Sequence, residues 1–473
     1  MAGFSFGKKI CPWCLQYEAA RKAEAAGGEH DGVQPVMPAP WLVRQRALPI
    51  SLTQLFVGIN VAVFAAMGLA GISLTEPTSQ QLLHWGANYG PLTLGGQWWR
   101  LLTSCFLHIG IIHIGFNMWC LWDLGALAEM LYGPWTFAGI YLVSGVAGMV
   151  ASVGWRFGGI SAGASGAIFG LAGALAASFY LGEFSLPRQA IMGQFRSLVV
   201  FVGYNLLFGA VAGHIDNAAH IGGLVMGGIL GALVARAAPG REAWPRRLAI
   251  LGAALCVIVA SVAALERSHS YLVHLQRGAA LLEEKKPADA IRELETSVQV
   301  RPTYLPARFE LARAYSEQQQ WSAAEAQLKR VLELDPRNED AYAGLAWVLQ
   351  KSGDAAQARA TLLKLLRIDA QSPAGHFGLG NLEFDAGDYR RALQEFTATA
   401  QLAPQTEGVN YNIGLCQAKL GDLNAAIDSY RREISISGED SDTESALAEA
   451  YRAKGMTKEA EAAEQKVSKK PSH

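Results

Sequence analysis

The stretch GGISAGASGAIFG, Gly158 to Gly170, is small or apolar at every position except Ser161 and Ser165. It overlaps the fourth of seven apolar runs, at 52–72, 109–131, 135–154, 160–181, 197–213, 217–235 and 248–265. Each run is long enough to approach a hydrocarbon core about 30 Å thick. Seven such runs in series predict seven helices and an all-α, polytopic membrane helical bundle. Ser165 lies among glycines and alanines with no acid or base beside it in sequence. In a membrane helix such residues usually serve close packing; the alternative is that Ser165 is a nucleophile.

Charge divides the chain. Of its 40 Lys/Arg and 41 Asp/Glu, only 15 and 11 lie before residue 268. Nothing in that balance points to nucleic acid. Residues 1–49 are polar, basic and broken by Pro35, Pro38, Pro40 and Pro49, which predicts a cytosolic tail rather than a signal peptide. With that tail inside, cytosolic segments carry Lys8, Lys9, Arg21, Lys22, Arg44, Arg46, Arg188, Arg196, Arg236, Arg241, Arg246 and Arg247, and the opposite loops only Arg100 and Arg156. The excess of positive charge inside supports this orientation. The expectation is a multi-pass protein of a bacterial inner membrane. Its C-terminal half is extracytoplasmic if the run 248–265 crosses.

From about residue 271 a 34-residue period appears. Ala290, Ala324, Ala358, Ala392, Ala426 and Ala460 mark it, with Gly278, Ala312, Ala346, Gly380, Gly414 and Ala448 twelve residues before each. Pro302, Pro336 and Pro404 share one phase, while Ala370 and Gly438 stand where proline is expected. The pattern resembles tetratricopeptide repeats over roughly 271–465. That resemblance implies an α-solenoid with a concave surface for protein or peptide partners.

Polar residues inside a span are costly and usually face the bundle interior or a wet cavity. His108, His113 and Asn117 stand at the outer end of the second run, where a metal site or interhelical hydrogen bonds would be the plainer account. Ser165 is expected about a turn into the fourth helix from its outer end, where free N–H groups and the helix dipole favour an anion. His113 and Asn117 share a helix face at that depth and could complete an oxyanion hole. His220, near the outer end of the sixth run, could act as base. Ala219, Gly223, Gly227 and Gly231 form a small-residue face, matched by Ala162, Gly166, Gly170 and Ala174 on the fourth helix, so that close packing would bring His220 to Ser165.

Taken together, Trp99–Arg100, the series His108, His113 and Asn117, the G-x-S-G of Gly163 to Gly166, and the A-H-x-x-G of Ala219 to Gly223 resemble a rhomboid intramembrane serine protease over roughly 50–236. The resemblance implies a six-helix core, to which this chain adds a seventh helix. It implies Ser165 as nucleophile and His220 as general base and acid, with no cofactor for catalysis. Asn117, His113 and the Ser165 N–H would bind the oxyanion. His108, Trp99, Arg100, Gly163, Gly166, Phe169 and Gly223 would be structural near the site, Phe169 standing where some members carry Tyr. Substrates would be transmembrane proteins entering from the lipid bilayer.

Other polar residues are assigned elsewhere. Asp216, four residues before His220, is read as lying outside a dyad mechanism, and His214 as a solvent-facing loop residue. Asp123 and Glu129 are expected to hold their helix and nearby loops by hydrogen bonds. Cys11 and Cys14 form a C-x2-C, read first as an unliganded tail and second as half of a zinc site, with His30 as a third ligand. The expected domains are a tail at 1–49, a membrane protease domain at 50–236, a basic linker and seventh helix at 237–267, repeats at 268–465 and a tail at 466–473. A catalytically silent rhomboid-like scaffold or adaptor is the alternative function. A transporter ranks third, since no inverted repeat is evident.

Overall fold

The structure, a computed structural model, describes residues 50–181, 188–212, 215–236, 243–438 and 440–468. The chain forms two compact units, one ending at His269 and one beginning at Ser270.

The first unit contains α1 (Leu52–Leu69), α2 (Ile111–Tyr132), α3 (Pro134–Trp155), α4 (Ser165–Leu181), α5 (Arg188–Ala212) and α6 (Asn217–Arg236), followed by α7 (Trp244–Glu283), which continues past the unit's end. All but α4 contain a window long and apolar enough to cross a membrane; α4 is a shorter apolar helix. It can be short because it is the centre of the bundle. It packs against α6, α3, α5 and α2, and it is buried from Gly166 to Leu175 without a break, as a helix apolar on every side requires.

Three boundaries differ from those the hydropathy predicts. The fourth run does not begin as helix at 160. Ile160–Ser161 instead pairs antiparallel with Asn88–Tyr89, in the register Asn88↔Ser161 and Tyr89↔Ile160. Gly163 then takes φ +142°, so helix starts only at Ser165. Ser165 is therefore the first helical residue rather than one turn in, and Ala162 is not part of the α4 face. The fifth helix begins at Arg188, well before 197. The seventh runs unbroken for 40 residues, because its polar half, the first helix of the repeats, continues the apolar half without a breaker.

The 70–110 segment is tied down by main-chain acceptors. Arg100 donates from Nη1 to the carbonyls of Leu83 (2.7 Å) and Ala87 (3.0 Å) and from Nε to Gln97 Oε1 (2.7 Å), with its guanidinium over the Trp99 ring. The Ser104 carbonyl accepts from the Gly163 N–H at 2.9 Å, which links this segment to the approach to Ser165.

Glu129 on α2 accepts from the N–H groups of Leu52 and Thr53, each at 2.9 Å, and from Thr53 Oγ1 at 2.7 Å. It thus satisfies N–H groups that the start of α1 leaves without helical partners. Glu129→Gln is expected to lower stability by about 1–3 kcal/mol, read as earlier thermal unfolding of the full chain in detergent. Asp123 behaves differently from the expectation. It is exposed and makes no hydrogen bond or ion pair among the described residues, because it points away from the α2 face that buries Asn117, Leu121, Gly125 and Ala128.

In the second unit the 34-residue period is a packing period. The marker alanines from Ala290 to Ala426 are wholly buried and Ala460 is nearly so. A Cβ on Gly278, Gly380 or Gly414 would come within 2.5–2.6 Å of Leu294, Phe396 or Tyr430 respectively, so glycine stands where the facing side chain needs room. Pro302, Pro336 and Pro404 each fall two residues after a helix ending at Val300, Leu334 or Leu402, where helix cannot continue. Asp354, Asp388 and Asp422, also 34 apart, cap the following helices by accepting from the N–H groups of Gln357, Arg391 and Ala425.

Glu383 is buried and bonded to Arg359, which holds its carboxyl below its ordinary range. A folded-state pKa below the unfolded one stabilises above the unfolded value and ceases to do so as pH falls through the folded one. Glu383→Gln is therefore expected to lower the unfolding temperature of the repeats by ~2–4 °C near neutrality. The gap to the parent should close as pH falls below about 4.3, measured by circular dichroism on the full chain.

Candidate active site

The contact between α4 and α6 is backbone against backbone. A Cβ on Gly223 would lie 2.0 Å from the Gly166 carbonyl oxygen, one on Gly227 1.9 Å from that of Gly170, and one on Gly231 2.4 Å from that of Ala174. In return, a Cβ on Gly173 would meet the Leu224 oxygen at 2.3 Å. Side chains would hold the helices apart; their absence lets the axes approach.

His220 lies just before this seam on α6 and Ser165 just before it on α4. His220 Nε2 is 2.9 Å from Ser165 Oγ. The imidazole is 7% exposed and lies parallel to the Phe169 ring, with centroids 4.3 Å apart at 6°. Phe169 is one turn beyond Ser165 on the same α4 face. His220 Nδ1 has no partner among the described residues. Asp216 does not supply one: its Oδ1 accepts from the Ala219 N–H at 3.0 Å, as an N-cap does.

Gly163 brings a third group to the serine. A Cβ there would be 2.8 Å from His113 Cε1, 3.0 Å from its Nε2 and 3.7 Å from Ser165 Oγ. That space stays open only because the residue is glycine. His113 Nδ1 accepts from the Ile109 N–H at 3.2 Å, which leaves the ring proton on Nε2, the nitrogen beside Gly163. Asn117 is buried, and its amide donates to the His113 carbonyl at 2.9 Å; one N–H remains for another acceptor. His108 is fully buried with its ring edge-on to His113.

The arrangement joins a hydroxyl to an imidazole at the start of a buried helix, where N–H groups lack intrahelical acceptors. Acyl transfer asks for a nucleophile, a base and donors for a developing oxyanion, and a hydroxyl, an imidazole and free N–H groups in this arrangement are able to fill those roles. Among the described residues no group of three His, Cys, Asp or Glu could hold a metal ion. Cys11, Cys14, His30 and His214 lie outside the described residues.

Two contributors carry no sequence signal of their own. The Ser104 carbonyl acts through the main chain. Ser144 on α3 lies against Gly170, where a Cβ would come 2.1 Å from its own Cβ; only the glycine hints at a close neighbour.

A family model described as "Rhomboid domain" matches residues 95–237. Tetratricopeptide repeat models match 281–333, 318–379 and 377–441. The chain is 32% identical over 335 residues to "Rhomboid protease GluP" of Bacillus subtilis (strain 168), covering 70% of this chain and 61% of that protein. It is 29% identical over 260 residues to "Rhomboid protease AarA" of Providencia stuartii, covering 50% and 88%. It is 38% identical over 162 residues to "RHOMBOID-like protein 7" of Arabidopsis thaliana, covering 34% and 51%. The chain thus spans about three fifths of the length of the first of these relatives.

Proposed function

We propose that this chain, in which a rhomboid domain is joined to tetratricopeptide repeats, is a rhomboid-type intramembrane serine endopeptidase that hydrolyses peptide bonds in or near transmembrane helices. The observation that best supports this is the 2.9 Å approach of Ser165 Oγ to His220 Nε2 on two helices whose glycines let their backbones touch. Residues 50–236 are the protease domain, 237–267 the linker and seventh helix, and 268–465 the repeats.

In the proposed reaction His220 Nε2 takes the Ser165 proton as Oγ attacks a peptide carbonyl. The tetrahedral oxyanion accepts from the Ser165 N–H, from His113 Nε2–H and from the second N–H of Asn117. Collapse breaks the C–N bond, and His220 returns its proton to the leaving amine. Water then gives a proton to His220 and attacks the acyl group; Ser165 recovers that proton when the carboxyl product leaves. Phe169 keeps the imidazole facing Oγ by stacking. The repeats, which we place outside the cytosol of a bacterial inner membrane, bind substrates or partner proteins. A reporter fused to the C-terminus and found in the cytosol would contradict that placement.

The test is cleavage of a single-span model substrate by the purified full chain in liposomes, beside Ser165→Ala. Product from the parent alone is expected, together with covalent labelling by a fluorophosphonate that Ser165→Ala abolishes. Equal product from both proteins would remove Ser165 from the chemistry.

A further inference from the structure

Asp123 is placed where an acid is hardest to keep. It is twelve residues from the outer end of α2 and nine from the inner end, about 18 Å and 14 Å at 1.5 Å per residue, and so near the middle of a core about 30 Å thick. Its side chain is exposed and has no hydrogen-bond or ion-pair partner among the described residues. A lysine or arginine at that depth could extend to the interface along its own stem; aspartate has one methylene and cannot. A carboxyl facing hydrocarbon is costly in either protonation state and calls for a partner in the membrane.

The surface around it is specific. Ile112, Phe116, Trp119, Trp122 and Met130 are exposed at 85, 51, 69, 52 and 53%, and together with Asp123 and Ala126 they make one stripe opposite the buried face of α2. Phe116 and Trp119 meet edge to face, 5.6 Å apart, which presents a formed aromatic surface. The indole N–H groups of Trp119 and Trp122 have no acceptor among the described residues. One stripe therefore holds an acceptor without donors and two donors without an acceptor.

A two-fold axis along the membrane normal would set two copies of this stripe side by side, both running the same way and at equal depth. Trp122 of one copy is then within about 1.5 Å, and Trp119 within about 6 Å, of the depth of the other's Asp123. Each contact would be made twice, as a self-complementary interface demands. We propose that the chain forms a homodimer in the membrane through the outer stripe of α2, with Asp123 of each copy accepting from the tryptophan indoles of the other. The contact uses a face that neither Ser165 nor His220 occupies, so it stands apart from the proposed peptidase activity.

The full-length chain, labelled and reconstituted into liposomes, is diluted in lipid while single-molecule photobleaching counts copies per particle. The parent is expected to dimerise. Asp123→Leu should need about tenfold or more protein per lipid to reach the same dimer fraction. Asp123→Asn, which keeps an acceptor, should recover most of the association. Trp119→Phe with Trp122→Phe, which keeps the rings and removes the N–H groups, should weaken it like Asp123→Leu. At dilutions where the parent is monomeric, all variants should unfold at the parent's temperature, since the stripe is outside the bundle core. A parent that stays monomeric at every dilution overturns the proposal, as does an Asp123→Leu or double tryptophan variant that associates like the parent. So does an Asp123→Leu chain that dimerises normally but cleaves more slowly a substrate helix bearing a midplane lysine or asparagine; the stripe would then belong to substrate.

Discussion

His220→Ala is expected to lower turnover of a single-span substrate by on the order of 10⁴-fold or more, with unfolding temperature nearly unchanged. Ser165→Ala should do the same, and the double variant should be no worse than either single one, because the two groups act as a unit. Asp216 separates a dyad from a triad. Its carboxylate caps α6 through the Ala219 N–H, and asparagine caps about as well. Asp216→Asn should therefore stay within about threefold of the parent. A fall near 10⁴, the scale seen when a triad acid is amidated, would make Asp216 a third member.

The second large effect comes from a residue that touches no substrate. Gly227→Val would drive a Cβ, 1.9 Å from the Gly170 oxygen, into the main chain of α4. Backbone cannot rotate out of the way as a flexible side chain can, so the two helices must separate. A shift of about 1 Å at the site costs on the order of 10²-fold in rate, so activity should fall at least that far although neither Ser165 nor His220 is substituted. Gly58→Ala on α1 is the control. A Cβ there meets nothing within 4 Å, and exchanging glycine for alanine in a helix is mildly favourable; activity and stability should hold.

Much of this was legible in residues. The glycines of α4 and α6 recur every four positions, the geometry of one helix face, so their meeting could be read before any coordinate. The repeat alanines are legible for a similar reason: one period serves one packing rule. The capping series Asp354, Asp388 and Asp422 carries the same period, but alanine and glycine alone already define the register. What hydropathy cannot see is pairing at a distance. Ile160 and Ser161 are as apolar and small as the helix that follows, yet they pair with Asn88 and Tyr89, over seventy positions earlier, and this moves the helix start to Ser165. The direction in which Asp123 faces was equally hidden. A lone acid in an apolar run suggests an inward hydrogen bond, as Glu129 makes; only the rotation of α2 relative to its neighbours turns Asp123 outward.

The shortness of α4 acts as a ruler. Its 17 residues span about 26 Å, some 4 Å less than a hydrocarbon core of about 30 Å. With its inner end level with the membrane boundary, its first residue lies beneath the outer one. Under the proposed activity, the cut would be set by how far a bond lies below the membrane surface as well as by the side chains around it. Sliding a substrate helix by one turn should move the cleavage point along its sequence while its depth stays constant.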